Sequence, residues 1–527
     1  MNGKILKLFI EKGFLLDKEM LNFLNELSNE NVAYEILDKI AIVSQKKIIT
    51  KNLVNENIDK IKPILFGLDS ENKKLVDKYF VNVSISVEVK KESSIENKHE
   101  SNIIKPIKIL SSPVINSKKL QVRDFVKHFR NRYNFLKKIL QDRIELNNLI
   151  SIDKITGNRE FSIIGIVTSK HITKNKNIIL EIEDLTGNVK LLINQNKEEL
   201  FKKSKEILLD DVIGFKCNGN KDFLFVNDFF YPECFLKEKK KINEEIYAIF
   251  ISDIHVGSNN FLEKNFNKFI DWLNGNGSDQ KQKETLKKIK YMFVVGDSID
   301  GVGIYPGQEK NLVIKDIKKQ YEKLAEFYKR IPKHINIIQC AGQHDAVRVA
   351  EPQPPIGKDF GEPLHTIDNL YLVSNPSFVE IAGSEKKEGI KVLMYHGASM
   401  HGIINEIEEL RVSNAHANPA RVIKHMLHRR HLAPTHGTSI YIPNEKEDPL
   451  IIKEVPDIIT TGDLHKTDID VYNNVLIIAN SCWQSITAFE EKMGNEPDPC
   501  KVPILNLKTR EIKVLDFSDE GENENRD

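Results

Sequence analysis

The chain has 527 residues, with 77 Lys+Arg against 76 Asp+Glu and a formal net charge of +1. That length predicts about two to four domains, and the charge balance excludes coating of nucleic acid by bulk positive charge, so such binding must rest on local patches. The sequence shows no apolar run near the roughly 20 residues of a membrane span, no signal-peptide core in MNGKILKLFIEKGFLLDKEM, and five scattered cysteines without a CxxC pair, which predicts a cytoplasmic protein with no membrane partner, disulfide framework or structural zinc.

Residues 1–67 read as a small helical domain. Ile5, Leu8 and Phe9, then Leu21, Leu24 and Leu27, fall mostly at spacings of three and four. Residues 68–115 turn polar, as in KKESSIENKHESN, and read as a flexible linker with one short strand around Val81–Val89. In 116–150, Val122, Phe125, Phe129, Tyr133, Leu136 and Leu140 make one apolar helical stripe. Nine Lys/Arg against three acids leave that helix with a basic opposite face, either solvated or set against a nucleic-acid backbone. Residues 151–240 alternate and are β-branched, with turns at Thr186-Gly187-Asn188 and Asn218-Gly219-Asn220 and a helical insert near 198–205. This suits an OB-type barrel, a fold that often binds single strands. Phe223, Phe225, Phe229 and Phe230 are there as core residues or as stacking platforms. From 241 to 515 short apolar strands alternate with helices in an α/β layout. The stretch 516–527 reads as an acidic disordered tail.

Twelve of the 15 histidines lie between His255 and His465. Five strand ends collect ligating residues there: Asp253-Ile254-His255, Gly296-Asp297-Ser298-Ile299-Asp300, Gly342-Gln343-His344-Asp345, Tyr395-His396-Gly397 and Gly462-Asp463-Leu464-His465. Alternate residues beyond a strand end can aim a carboxylate and an imidazole at one point, and five such ends together form a strong signal for a site at the strand C-termini.

This order resembles that of the calcineurin-like metallophosphoesterases, with D-x-H, G-D-x-x-D, G-N-H-[DE], a lone H, and G-H-x-H. The resemblance implies a β-sandwich flanked by helices and two divalent cations, Mn²⁺ or Mg²⁺. Asp253, His255, Asp297 and His465 would hold the first; Asp297, Gln343, His396 and Asp463 would surround the second. His344 would face the scissile phosphate as the catalytic histidine, and Asp300 and Asp345 would orient the histidines. Two positions depart from the pattern: Gln343 stands in place of Asn, and Asp463 in place of the first His of G-H-x-H. Both fall on the second metal.

The intervening segments FISDIHVGSNNF (250–261), VVGDSIDGVGIYP (294–306), AGQHDAVRVAEPQPPI (341–356) and RRHLAPTHG (429–437), with VRDFVKHFRNRYNFLKKIL (122–140), are similar to the small subunits of archaeal family-D DNA polymerases. That resemblance covers roughly 116–515. It implies a heterodimer with a large subunit that polymerises, other replisome proteins as further partners, and a metal-dependent 3′→5′ exonuclease on DNA in this chain. The eukaryotic relatives, which lack the ligands and act as scaffolds in replicative polymerases, leave a scaffold role as the alternative, and a free-standing phosphatase as a third. Arg348, Arg429 and Arg430 are candidate DNA contacts with a structural role equally open. His425 and His428, at i and i+3, are a candidate metal pair or part of a basic helix face, and Cys482 is expected to be a buried thiol.

Overall fold

The computed structural model describes Leu15–Leu16, Ile48–Ile49 and residues 105–518 apart from 116–118, 158–159, 278 and 385–386. The helices expected within 1–67, the strand expected around Val81–Val89 and the tail beyond 518 lie outside the described residues. In the N-terminal unit, β1 (Leu15–Leu16) and β2 (Ile48–Ile49) pair in parallel, with Leu15 opposite Ile48.

In the second unit the chain begins with β3 (Lys105–Ser111). This corrects the linker expectation for 68–115. Ile107 packs against a hydrophobic core, which the surrounding Ser/Asn/Lys composition concealed.

Five strands then close a barrel: β4 (Phe161–Ile172), β5 (Ile178–Glu183), β6 (Asn188–Ile193), β7 (Val212–Gly219) and β8 (Leu224–Phe230), in the order β4-β5-β6-β8-β7. The β6–β8 pair is parallel and the other pairs antiparallel. Residues two apart, such as Ile178, Leu180 and Ile182, fill the interior. A helix, Glu198–Ser204, sits between β6 and β7. The Asp184 carboxylate accepts from Thr186 N–H and Gly187 N–H and closes the first expected turn. Of the four phenylalanines, Phe229 is interior and Phe230 half-buried, while Phe225 is 49% exposed and lies edge-on to Phe223 at 5.8 Å.

The helix Val122–Gln141 lays Tyr133, Leu136 and Leu140 on the barrel wall, against Ile164, Ile166 and Val212. The stripe is shorter than expected, since Val122 is 81% exposed. Its polar side is not simply a solvated basic face. Arg132 Nε (2.7 Å), His128 Nε2 (3.2 Å) and His431 Nε2 (2.8 Å) all meet Asp448 Oδ2 in the interior. Ala433 N–H donates to His431 Nδ1 at 3.0 Å, so the His431 proton sits on Nε2 and the ring is neutral. Burial and Arg132 push its pKa down to about 4. Below the unfolded value of about 6.5 the unfolded chain takes up a proton that the folded chain refuses, so this group's stability is full above pH ~6.5 and is lost toward pH ~4. Between pH 7 and pH 5 the wild type should therefore lose about 2 kcal/mol relative to His431→Gln in urea unfolding; an identical pH dependence in both would mean that His431 titrates freely.

The rest of the chain forms a sandwich. Its strands are β9 (Tyr247–Ile251), β10 (Ile289–Val295), β11 (Asn336–Cys340), β12 (Leu370–Val373), β13 (Ser377–Gly383), β14 (Ile390–Met394), β15 (Ile458–Thr461), β16 (Asp468–Tyr472), β17 (Val475–Ala479), β18 (Lys501–Asn506) and β19 (Ile512–Asp516). Among the described residues they make two six-stranded sheets, β12-β11-β10-β9-β18-β19 and β16-β17-β15-β14-β13-β3. β3 pairs antiparallel with β13 and closes one edge. Between the sheets, Phe250 stacks on Phe293 at 5.0 Å amid Val295, Val392, Ile458 and Ile478. Helices Glu263–Leu273 and Ile317–Lys329 cover the first sheet's outer face, and Met400–Glu406 and Pro419–Arg429 cover the second's. β9, β10 and β11 run parallel in one sheet, and β14 and β15 in the other. Buried on both faces, these strands are near-continuous apolar runs, and their polar residues are confined to the ends. No helix of the described residues is long and apolar enough to cross a membrane.

Candidate metal centre

The five strand ends meet. Asp253 and His255 follow β9, Asp297 follows β10, Gln343 and His344 follow β11, His396 follows β14, and Asp463 and His465 follow β15. Five of these residues leave their strands in the left-handed region: Asp253 (φ 50°), His255 (53°), Asp297 (46°), Asp463 (70°) and His465 (53°). Each such non-glycine conformation costs on the order of 1–3 kcal/mol, and strain of this kind clusters at functional sites. Glycine makes the close approach possible. A Cβ on Gly296 would lie 2.2 Å from His396 Nδ1, and one on Gly342 would lie 2.1 Å from Asp297 Oδ1.

Asp253 Oδ1 stands 3.4 Å from His465 Nε2, 3.9 Å from His255 Nε2 and 4.0 Å from His396 Nε2. The Nε2 atoms of His255 and His465 are 3.4 Å apart. Asp297 Oδ2 is 3.2 Å from His396 Nε2, and Asp463 Oδ1 is 3.8 Å from the same nitrogen. Asp253–His255–His465, His255–Asp297–His344 and Asp253–Asp297–His396 each gather their donor atoms within 4.8 Å of one another.

The imidazoles share one arrangement. Nδ1 of His255 meets Asp300 Oδ1 (3.1 Å), Nδ1 of His396 meets the Val295 carbonyl (2.7 Å), Nδ1 of His465 meets Glu490 Oε1 (2.7 Å), and Nδ1 of His344 meets the Asp300 carbonyl (2.8 Å). An acceptor at Nδ1 places the proton there and leaves Nε2 as a lone pair, the tautomer a metal ligand requires. Among the described residues, Asp253 Oδ1, His396 Nε2, Gln343 Oε1 and Asp463 Oδ2 are buried polar atoms without a hydrogen-bond partner. Burial alone would raise the Asp297 carboxyl, but the His396, His344 and His255 imidazoles outweigh it and hold the group well below the usual carboxylate range. Burial would likewise lower the His396 imidazolium, yet Asp297, Asp253 and Asp463 raise it well above its ordinary value. Unpartnered donors in a pocket of negative potential, mixing carboxylate oxygen and imidazole nitrogen, fit a divalent cation.

The two residues that depart from the motif touch each other. Gln343 Nε2 donates to Asp463 Oδ1 at 3.0 Å, a contact that the longer glutamine side chain makes. His344 lies at the rim, with its ring edge-on to His255 at 4.8 Å and its backbone N–H donated to Asp297 Oδ1 at 2.8 Å. Asp300 orients His255 as expected, and is itself held by Gln308 Nε2 and Gln484 Nε2. Asp345 does not orient a histidine. It accepts from Ser298 Oγ (2.6 Å), Gly342 N–H (3.0 Å) and the Tyr321 hydroxyl (3.3 Å), and so ties the β10 and β11 loops together.

Glu490 stands outside every motif of the sequence. It lies on the helix Ala488–Met493, where its carboxylate both caps Thr487 and holds His465 Nδ1. Its sequence signal is the capping box Thr487-x-x-Glu490 alone. Glu490→Ala should weaken Mn²⁺ binding by about 10–100-fold, read by calorimetric titration; unchanged affinity would make Glu490 a helix cap alone.

The expected DNA contacts are otherwise engaged. Arg348 donates to the carbonyls of Ala350, Ile115 and Pro352. Arg429, 3% exposed, pairs with Asp211 at 3.1 Å, and Arg430 donates to the Ile452 and Lys453 carbonyls. Desolvated guanidinium groups need internal partners, and these have them. His425 accepts from Arg429 at Nδ1, while His428 packs on Tyr231 at 4.1 Å, so the two do not converge on a metal. Cys482 is buried.

Residues 248–469 match the family of B subunits of DNA polymerases alpha and epsilon, which places the chain in the class of polymerase accessory subunits. It is 37% identical over 404 residues to the DNA polymerase II small subunit of Pyrococcus abyssi, a match covering 75% of this chain and 63% of that protein. It is 36% identical over 399 residues to that of Methanothermobacter thermautotrophicus (76% and 80% covered) and 33% over 504 residues to that of Archaeoglobus fulgidus (95% of each). The chain belongs to this family, the small subunits of archaeal family-D DNA polymerase. Its match spans less than two thirds of the length of the Pyrococcus relatives. An archaeal phosphodiesterase structure is similar over 51% of this chain and 99% of its own, at 12% identity and a TM-score of 0.24, too slight a likeness to carry an argument.

Proposed function

We propose that this chain supplies a metal-dependent 3′→5′ exonuclease to a heterodimeric archaeal replicative polymerase, with a large partner subunit carrying polymerisation. The single observation behind this reading is the convergence of Asp253, His255, Asp297, His396 and His465, with their metal-binding lone pairs directed inward and four of the five on left-handed backbone. A pure scaffold gains nothing from that strain. Asp253, His255, Asp297 and His465 would hold one Mn²⁺ or Mg²⁺, and Asp297, His396, Asp463 and Gln343 would surround a second. Such cations, when bound, supply charge neutralisation of a phosphodiester and a water of lowered pKa. Asp297 belongs to both sets and holds them in register. His344, fixed at Nδ1 by the Asp300 carbonyl, donates from Nε2 when protonated and can stabilise the leaving 3′ oxygen.

The sandwich is read as a calcineurin-like phosphoesterase domain over 241–515, and the barrel as an OB fold over 151–240. Strand order, the helix between β6 and β7 and the exposed Phe223–Phe225 pair support a stacking platform for single-stranded DNA. A cytoplasmic location and contacts with other replisome proteins belong to the same reading. The second reading, a weakened scaffold, is favoured by the Gln343–Asp463 hydrogen bond within the second subsite. The test is to purify the chain with its large subunit and offer 3′-mismatched or single-stranded DNA with Mn²⁺. Shortening from the 3′ end supports the exonuclease. Intact DNA beside a stable heterodimer would leave the scaffold.

A further inference from the structure

The substitution at 463 removes an imidazole from the second subsite, and the fold returns one from elsewhere. His401 lies in the first turn of the helix Met400–Glu406, five residues after His396. Its Nε2 is 3.6 Å from Asp463 Oδ2. Its Nδ1 is 3.1 Å from Nε2 of His416, whose ring lies 5.2 Å away, centre to centre. This repeats the arrangement of His255, His396 and His465: Nδ1 on an acceptor, Nε2 turned toward a carboxylate. On the opposite side, Asp463 Oδ1 faces Nε2 of the fully buried His396, an atom with no hydrogen-bond partner. Gly397 allows the approach, since a Cβ there would lie 3.0 Å from Asp463 Cβ. Asp463 thus stands between two imidazoles that each present Nε2.

We infer that His401 is a ligand of the second divalent cation, oriented by His416, and that the pair His401/Asp463 replaces the single histidine of the G-H-x-H pattern. This rests on the metal-centre reading and adds a ligand to it. With His401 the second subsite gathers Asp297, His396, Asp463 and His401, two carboxylates and two imidazoles. That set does not require Gln343, whose amide instead donates to Asp463 and holds its carboxylate in place. His416 is a positioning residue, since it reaches the subsite only through His401.

The test uses Mn²⁺ alone and the full chain, with no activity readout. Calorimetric titration, checked by metal analysis after gel filtration, should give two Mn²⁺ per wild-type chain. His401→Ala should keep one site at wild-type affinity and lose the second. His416→Ala should retain both but weaken the second by about 10–100-fold. The exchange His401→Asp/Asp463→His keeps the same donor types and should restore the second site relative to His401→Ala. Two sites of wild-type affinity in His401→Ala would overturn the assignment while leaving the metal centre standing. A wild-type chain that binds a single Mn²⁺ would overturn it as well, and one that binds none would overturn the metal-centre reading itself.

Discussion

Asp297→Asn should lower Mn²⁺-dependent 3′-end cleavage by a factor on the order of 10³ or more, with the chain still folded. Asp297 is the one carboxylate assigned to both cation sets, and it follows β10 at the centre of its sheet. Losing its charge weakens both sites at once and removes several kcal/mol of transition-state stabilisation. Asparagine isolates that effect. It tolerates the left-handed φ of 46° that alanine would resist, and its Oδ1 can still accept the His344 backbone N–H now given to Asp297 at 2.8 Å. The measurement is single-turnover shortening of end-labelled DNA by the heterodimer, paired with a melting curve. Near-wild-type cleavage would remove Asp297 from the chemistry, whereas a collapsed melting curve would assign it to the fold.

The site was legible in the sequence because its residues lie at the ends of short apolar strands, where a change from apolar to ligating residues is abrupt. What faces those residues from behind was less legible. Asp300 was marked by its motif, but Glu490 comes from a helix 25 residues beyond His465 and orients it through a side chain whose local pattern announces a cap. His401 sits in no motif, and its relation to Asp463 arises from the turn at Gly397. The linker reading missed β3 because strand content there is one short isoleucine-rich run in a polar stretch, and its pairing partner β13 lies some 270 residues later. Local periodicity located the helix Val122–Gln141, while its interior charge network depends on Asp448, 316 residues from Arg132.

That network carries the largest expected effect on stability: Asp448→Asn should cost about 3–5 kcal/mol in urea unfolding. Asp448 is buried and accepts from Arg132 Nε and His431 Nε2 on Oδ2, which His128 Nε2 also approaches at 3.2 Å, and from Leu450 N–H on Oδ1 at 3.0 Å. Asparagine keeps an acceptor for Leu450 but leaves the Arg132 guanidinium, 2% exposed, without its counter-charge. Around this point the segment 429–437 does not face DNA but fastens the barrel and its helix to the sandwich. Arg429 pairs with Asp211 beside β7, the Pro434 carbonyl accepts from Arg132, and His436 N–H donates to Asp210 at 2.7 Å. A double-mutant cycle separates charge from shape. Arg132→Met alone should also destabilise, and the double variant should cost less than the sum of the single ones, because no buried charge is then left unpaired. Strict additivity, or a loss under about 1 kcal/mol for Asp448→Asn, would mean that apolar contacts of Tyr133, Leu136 and Leu140 dock the helix without help from the ion network. If the coupling is found, the same variants should loosen the barrel from the strand-end site, seen as faster amide exchange across Arg132, Asp211 and Asp448 before the sandwich core opens.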